Sequence, residues 1–279
     1  MKLIKNALQA TLDKGLDRLD AQMLLLHALG QPTNNRAWLM SHDTDELTLA
    51  QQQTFKSFIQ RRIDGEPVAY ITGSKEFFGL NLAVNADVLV PRPDTECLVE
   101  WALEVIPTAQ AVTVLDLGTG SGAIGLAIKH GRPQAEVTLV DASQAALDMA
   151  CSNAALLGLA VHGLQSNWFE NLPSEQRYDL IVSNPPYIAD GDAHLAKLKH
   201  EPLMALTSGA DGLDAIRRIV QDAPRFLKRS GWLLLEHGYD QAAAVRELLL
   251  AQGFEQVNSH LDLNGIERCS GGSFIGRKA

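Results

Sequence analysis

An α/β fold with a doubly wound, mostly parallel sheet is what this sequence predicts, and three features carry the prediction. From residue 112 onward, apolar runs rich in β-branched residues alternate with segments of helical spacing, over about 165 residues. A glycine-rich turn, Leu115-Asp116-Leu117-Gly118-Thr119-Gly120-Ser121-Gly122, follows the first of these runs and opens a helix. The next strand closes on an acidic residue, Asp141. Sheets of this kind bind ligands beyond the carboxyl ends of their strands.

The elements follow in order. Residues 1–66 read as helical. Leu16, Leu19, Met23, Leu24, Leu26 and Leu29 crowd apolar surface onto one segment, which Gly30 and Pro32 end. A second helix is expected over 47–63, with Phe55, Phe58, Ile59 and Ile63 at helical spacing and Gly65-Glu66-Pro67 as its stop. A small helical bundle over residues 1–74 results. Phe77 to Val84, the turn Asn85-Ala86-Asp87 and Val88-Leu89-Val90 read as a β-hairpin linker over 75–92. In the remaining domain, 93–279, Asp94 is placed to cap a helix through Trp101 and Val105. Strands are expected at 112–117, 136–140, 161–165, 179–183, 232–236, 254–260 and 272–275. Helices are expected at 122–129, 143–157, 215–227 and 240–252. Ser143 caps the second of these helices and Gly158 closes it.

Composition narrows the function. The chain is 46% hydrophobic and 20% charged, with no apolar run near the ~20 residues of a membrane span and no signal-peptide pattern at its start. No membrane partner is expected. Cys97, Cys151 and Cys269 are odd in number and form no CxxC, and the eight histidines show no ligand spacing. Neither a disulfide framework nor a metal site is expected, and a reducing cytoplasm is the default. The net charge is −9, with nine basic and eight acidic residues in 1–75 against fifteen and twenty-five in 76–279. Bulk charge therefore argues against a polyanion-binding surface.

Glycines at 118, 120 and 122 let the backbone turn tightly and approach a ligand, with Thr119 and Ser121 between them. A carboxylate at Asp141 is placed to accept hydrogen bonds from both ribose hydroxyls of a nucleoside. Gly120-Ser121-Gly122-Ala123-Ile124-Gly125 matches the dinucleotide fingerprint, but Asp116, two residues before the first glycine, would repel a pyrophosphate. The same charge favours the sulfonium and ammonium of S-adenosylmethionine, directly or through water. Ser166-Asn167-Trp168-Phe169 follows the third strand, where an adenine would lie. Asn167 is placed to bond the base edge and Trp168 or Phe169 to pack near it; a loop with buried aromatics is the plain alternative.

Asn184-Pro185-Pro186-Tyr187 follows the strand that ends at Ser183. Two prolines carry no N–H and have fixed φ, so this segment continues neither helix nor central strand. It holds its carbonyls and the Asn184 amide stiffly toward one point, which suits a planar –NH2 group needing two acceptors. A structural turn after a strand is the competing reading.

Together these residues resemble the protein-glutamine N-methyltransferases that act on bacterial peptide-chain release factors. The resemblance covers nearly the whole chain. It includes Tyr70-Ile71-Thr72-Gly73 with Glu76-Phe77, Val90-Pro91-Arg92-Pro93-Asp94-Thr95-Glu96, Asp116 to Gly122, Asp141, Asn184 to Tyr187, and Glu201-Pro202 with Ala205-Leu206 and Gly209 to Leu213. It implies a class I, Rossmann-like methyltransferase domain: a seven-stranded sheet with its last strand antiparallel, behind a helical recognition domain and a hairpin. The implied substrate is the glutamine in the Gly-Gly-Gln loop of class I release factors, and the implied state a monomer. Two positions depart from the pattern. The family usually has Asp where this chain has Asn167, and the ending Glu267-Arg268-Cys269-Ser270-Gly271-Gly272 differs from the usual one.

An amide nitrogen is a poor nucleophile, while a sulfonium is already a strong electrophile, so catalysis reduces to positioning and electrostatics. The Asn184 oxygen and the Pro185 carbonyl are expected to accept the two amide hydrogens, with Pro186 stiffening the turn and Tyr187 packing on the amide plane. Asp116, Gly118 to Gly122, Asp141, Asn167, Trp168 and Asn184 are expected around S-adenosylmethionine, which leaves as S-adenosylhomocysteine. Three rivals stay open: an adenine methyltransferase working on a flipped base, a nicotinamide-dependent dehydrogenase, and a nucleotide-binding module without catalysis.

Overall fold

The structure, a computed structural model, describes residues 2–108 and 110–276. The chain divides into two units, Met1–Ser74 and Lys75–Ala279.

The first unit contains β1 (Lys2–Leu3), α1 (Ile4–Leu12), α2 (Arg18–Ala28), α3 (Arg36–Ser41), β2 (Glu46–Leu47), α4 (Leu49–Ile63) and α5 (Val68–Thr72). Side-chain caps set two of these starts. Asp17 accepts from the Leu19 and Asp20 N–H groups, and Thr48 and Gln51 form a reciprocal capping box. Leu24, Leu25, Phe55 and Ile59 close a separate core with Ile4 and Ile71. The β1–β2 antiparallel pair goes beyond the helical reading, because two-residue strands show no period.

The hairpin differs from expectation. It pairs β3 (Ser74–Phe77) with β4 (Leu80–Ala83), and the chain reverses at Phe78 and Gly79, whose φ are +49° and +77°. Two left-handed residues in a row match the twist of a two-residue hairpin loop. Asn85-Ala86-Asp87 is a turn, with the Asp87 N–H donating to Asn85 Oδ1 at 2.9 Å, but 88–90 forms no strand. Within the second unit Asn153 anchors the hairpin, bonding both the N–H and the carbonyl of Ala83 as well as the Ser121 carbonyl.

A three-residue 3₁₀ turn, Pro93–Thr95, precedes α6 (Glu96–Val105), so Asp94 is not a cap; it lies 3.4 Å from Arg268 instead. Then come β5 (Thr113–Leu117), α7 (Ala123–Gly131), β6 (Glu136–Asp141), α8 (Gln144–Leu157), β7 (His162–Gln165) and β8 (Tyr178–Ser183). The chain closes with α9 (Asp214–Asp222), β9 (Leu227–Glu236), α10 (Ala242–Gln252), β10 (Glu255–Leu261) and β11 (Glu267–Phe274). Ser143 caps α8 and Gly158 ends it left-handed, as the sequence predicts. The helix expected over 215–227 stops at Asp222, because Pro224 supplies no N–H for another turn.

The sheet order is β10-β11-β9-β8-β5-β6-β7, with β11 antiparallel to both its neighbours and the other pairs parallel. Period-2 alternation sends side chains to two cores. Val114, Val182 and Leu234 face the helices α6, α7 and α8; Leu115, Leu117, Ile181, Leu233 and Leu235 face α9 and α10. Each large side chain so buried contributes about 1.5–3 kcal/mol. The same alternation assigns the next residues: Asp116, Asn184 and Glu236 continue the rows of Val114, Val182 and Leu234.

Candidate functional site

The chain runs from β5 outward through β6 and β7, then returns to β8 on the other side of β5. The crevice beyond β5 and β8 is thus the switch point of the sheet. Leu117 lies opposite Ser183, and Ser183 opposite Leu235. The glycine turn, the Asn-Pro-Pro-Tyr segment and Glu236 therefore leave three adjacent strands side by side. The Ser183 hydroxyl donates to the Leu117 carbonyl at 2.7 Å and fixes the first two together.

A cleft of about 440 Å³ opens at this point, within the size range of small-molecule sites. Gly118, Thr119, Gly120, Ser121, Asp141, Asn167, Trp168, Asn184 and Pro186 line it. Asp116, Gly122, Pro185 and Tyr187 do not.

Asp116 is the clearest correction. Expected at the mouth of the glycine turn, it is fully buried beneath it, because alternation turns it toward α7. Its Oδ2 accepts from the Thr119 hydroxyl at 2.6 Å and from the Gly125 N–H at 2.9 Å. Burial pushes the carboxyl up to about 6, against the pull of those two bonds and with help from the Asp141 charge. Gly125 must be glycine for this contact: a Cβ there would stand 2.4 Å from Leu139 Cδ2 and 2.9 Å from Asp116 Oδ2. The third position of the apparent dinucleotide fingerprint thus serves helix-to-strand packing.

Asp141 accepts one backbone bond on each oxygen, from the Gly120 N–H and the Ser143 N–H, both at 2.9 Å. Burial again raises its pKa, opposed by these bonds. Asn167 commits its Nδ2 to Glu170 Oε1 at 2.9 Å, which leaves its oxygen as an acceptor at the cleft. Trp168 forms wall, whereas Phe169 is buried and stacks on Phe226 at 4.8 Å.

Asn184 donates its Nδ2 to Thr95 Oγ1 at 3.2 Å, so its oxygen is also left as an acceptor. Tyr187 points away from the cleft, and its hydroxyl donates to Glu236 Oε1 at 3.2 Å. The neighbouring negative charge and above all burial hold that phenol far above its ordinary value. The Tyr187 carbonyl accepts from Gln241 Nε2 at 3.1 Å.

The sequence reading missed Thr95, Arg92, Pro202 and Met204, all in the cleft wall. Arg92 pairs with the buried Glu201, which also accepts the Val90 N–H at 3.2 Å, so two distant loops close one side of the site. For Arg92, Thr95 and Pro202, presence within the Pro-Arg-Pro-Asp-Thr-Glu and Glu-Pro stretches was the available signal; Met204 lies outside both and carried none. Among the described residues no three His, Cys, Asp or Glu gather as metal ligands, and no helix is long and apolar enough to cross a membrane.

A three-layer doubly wound unit of this sheet order, with acceptors at the ends of three neighbouring strands, defines a class I methyltransferase. The methyltransferase small domain family matches residues 98–209, and the PrmC N-terminal domain family matches residues 2–73. The release factor glutamine methyltransferase of Bordetella pertussis is 52% identical over 98% of this chain and 99% of its own length. That of Pseudomonas aeruginosa is 48% identical over 92% of each, and that of Salmonella typhimurium 43% over 94% of each. Solved structures agree on the fold. A methyltransferase from Pyrococcus furiosus superposes with a TM-score of 0.54 at 19% identity, over 78% of this chain and 98% of that one. A T. Thermophilus 16S rRNA methyltransferase in complex with AdoMet and guanosine gives 0.55 at 23% identity, over 72% and 49%. The chain belongs to the release factor glutamine methyltransferase family.

Proposed function

We propose that this chain transfers a methyl group from S-adenosylmethionine to the side-chain amide nitrogen of the glutamine in the Gly-Gly-Gln loop of class I peptide-chain release factors. This protein methylation would modulate translation termination. One observation carries the reading of the site: Asn184 stands in the cleft wall beside the glycine turn with its own –NH2 committed to Thr95, and so offers an oxygen.

The residues present fit the methyl donor. Asp141 keeps lone pairs for ribose hydroxyls after its two backbone bonds. Asn167, with its nitrogen held by Glu170, offers the adenine amino group the same acceptor an aspartate would. Trp168, Ile124 and Ala146 supply an apolar wall for the base. Asp116 Oδ1 is buried with no partner, and its charge lies under the turn where a cation would be favoured. When bound, S-adenosylmethionine supplies an electrophilic methyl on its sulfonium.

The chain's own residues do the positioning. The Asn184 oxygen accepts one amide hydrogen at the cleft wall, and the Pro185 carbonyl, outside the cleft lining, is read as the acceptor of the second; together they orient the nitrogen and favour positive charge as it develops there. Pro186 keeps the segment rigid. Tyr187 acts from behind the tetrapeptide rather than on the amide plane. No general base is required, since an N-methylated, still protonated amide loses its proton to water.

The helical unit is read as the part that recognises the folded protein substrate. A net charge of −9 supports a protein rather than a nucleic-acid partner, and a monomer in the cytoplasm is the simplest state. The test is incubation with methyl-labelled S-adenosylmethionine and purified release factor, followed by mapping. Label on the loop glutamine, lost when that glutamine is replaced by alanine, is expected. Label on another residue, or on RNA alone, contradicts the proposal.

A further inference from the structure

Glu236 ends β9 with a relative exposure of 1%, and the sequence marks it as nothing more than a strand-end acid. Its row on the sheet is that of Leu234, toward α6, and there it meets the site from behind. Tyr187 donates its hydroxyl to Oε1 at 3.2 Å. The Thr95 hydroxyl lies beside the same carboxyl and depresses its pKa, while accepting the Asn184 Nδ2 at 3.2 Å. The other oxygen, Oε2, is buried without a partner. One side chain thus bonds one arm of the tetrapeptide directly, at Tyr187, and acts electrostatically on Thr95, which holds the other arm at Asn184.

We infer that Glu236 is a positioning residue for methyl transfer, holding the Asn184 acceptor and the Tyr187 ring in register for the substrate amide. The inference rests on the reading that Asn184 grips that amide.

A buried carboxyl is costly unless it is partnered or neutral, and this one has an orphaned, buried oxygen. Pure stability would favour an apolar residue here, as at Leu234 and Leu235 beside it. Burial pushes its pKa up to about 7, opposed by Thr95, Tyr187 and Arg268. The surroundings reinforce the placement. Arg268, paired with Asp94 at 3.4 Å and Asp262 at 3.2 Å, lends it positive potential, and Cys269 lies opposite it on β11. The Asn184-to-Thr95 bond also explains why the Pro-Arg-Pro-Asp-Thr-Glu stretch belongs with the tetrapeptide: Thr95 is the connector.

The experiment compares Glu236→Ala, Glu236→Gln, Tyr187→Phe and Asn184→Ala, measuring kcat and KM on release factor and calorimetric affinity for S-adenosylmethionine. Glu236→Ala should lower kcat by about tenfold or more with KM and cofactor affinity changed by less than about threefold. Glu236→Gln, whose carbonyl still accepts from Tyr187, should recover part of the loss. The Glu236→Ala and Tyr187→Phe losses should combine to less than their product, since both break one contact. A kcat within about twofold of wild type, fully multiplicative losses, or a matching loss of cofactor affinity would overturn the inference. If Glu236→Ala does not fold, Thr95→Val and Tyr187→Phe decide it. Less-than-multiplicative losses support the shared carboxyl, and independent multiplication overturns it. Wild-type turnover by Asn184→Ala would instead overturn the grip itself, so the two failures are distinguishable.

Discussion

Asp116 and Asp141 stand 25 residues apart and illustrate how alternation assigns carboxylates different work. Asp141, last in β6, is drawn over the glycine turn by two N–H groups and lines the cleft. Asp141→Ala should therefore weaken S-adenosylmethionine binding by roughly 1.5–3 kcal/mol, measured by calorimetry, with unchanged affinity contradicting the ribose assignment. Asp116 is wholly buried, and its folded pKa of about 6 lies above the ordinary 3.8. A raised carboxyl adds stability that is complete below the unfolded value and is lost as pH rises through the folded one. Between pH 4 and 6 the wild type should lose about 2 kcal/mol relative to Asp116→Asn, out of about 3 kcal/mol over the whole titration, read as the difference between their denaturant unfolding curves. A difference that stays flat across that range would place the carboxylate in water. Asp141 was legible in the sequence because a strand end, a cap at Ser143 and a following helix all agree. The true position of Asp116 was not, since its burial depends on which face of β5 meets α7.

Among the elements, the Ser143 and Gly158 caps and the periodic helices were readable, while the Asp94 cap and the hairpin were not. Ser143, Gly158 and the apolar spacing of α4 sit where the sequence places them. The reversal at Phe78-Gly79 escaped because Phe is not a turn former, whereas Asn85-Ala86-Asp87 has the better local chemistry. What fixes the hairpin is remote: Asn153 on α8 bonds Ala83 twice and Ser121 once, and Glu96 accepts the Phe78 N–H at 3.2 Å. Asn153→Ala leaves the buried Ser121 carbonyl and two part-buried groups of Ala83 unpaired and should cost about 3 kcal/mol of stability, seen as a lower denaturation midpoint. Because the Ser121 carbonyl belongs to the glycine turn, cofactor affinity should fall as well. A variant as stable as wild type would mean that the hairpin is held by packing alone.

The two units have separate cores, and the proposed roles of the two can be tested apart. A chain beginning at Lys75 should still bind S-adenosylmethionine yet methylate intact release factor far more slowly than the full protein. Equal turnover by both would reduce the helical unit to a stabilising appendage. The doubly wound sheet was readable from alternation alone. Its strand order was not, and that order brings Thr95, Asn184 and Glu236 together from three distant stretches. Turnover of Asn184→Ala on release factor tests this account most directly. The strand, both prolines and the cofactor contacts of Asp141 are untouched, so the variant should fold and bind S-adenosylmethionine normally. One positioned polar group that acts mainly as charge develops is worth on the order of 2.7–4 kcal/mol, or 10²–10³ in rate. The account predicts a kcat lower by that factor with little change in KM, and Asn184→Asp also impaired, since it keeps an acceptor but adds a charge. Wild-type kcat in the alanine variant would show that Asn184 does not hold the amide, and that the two prolines only turn the chain.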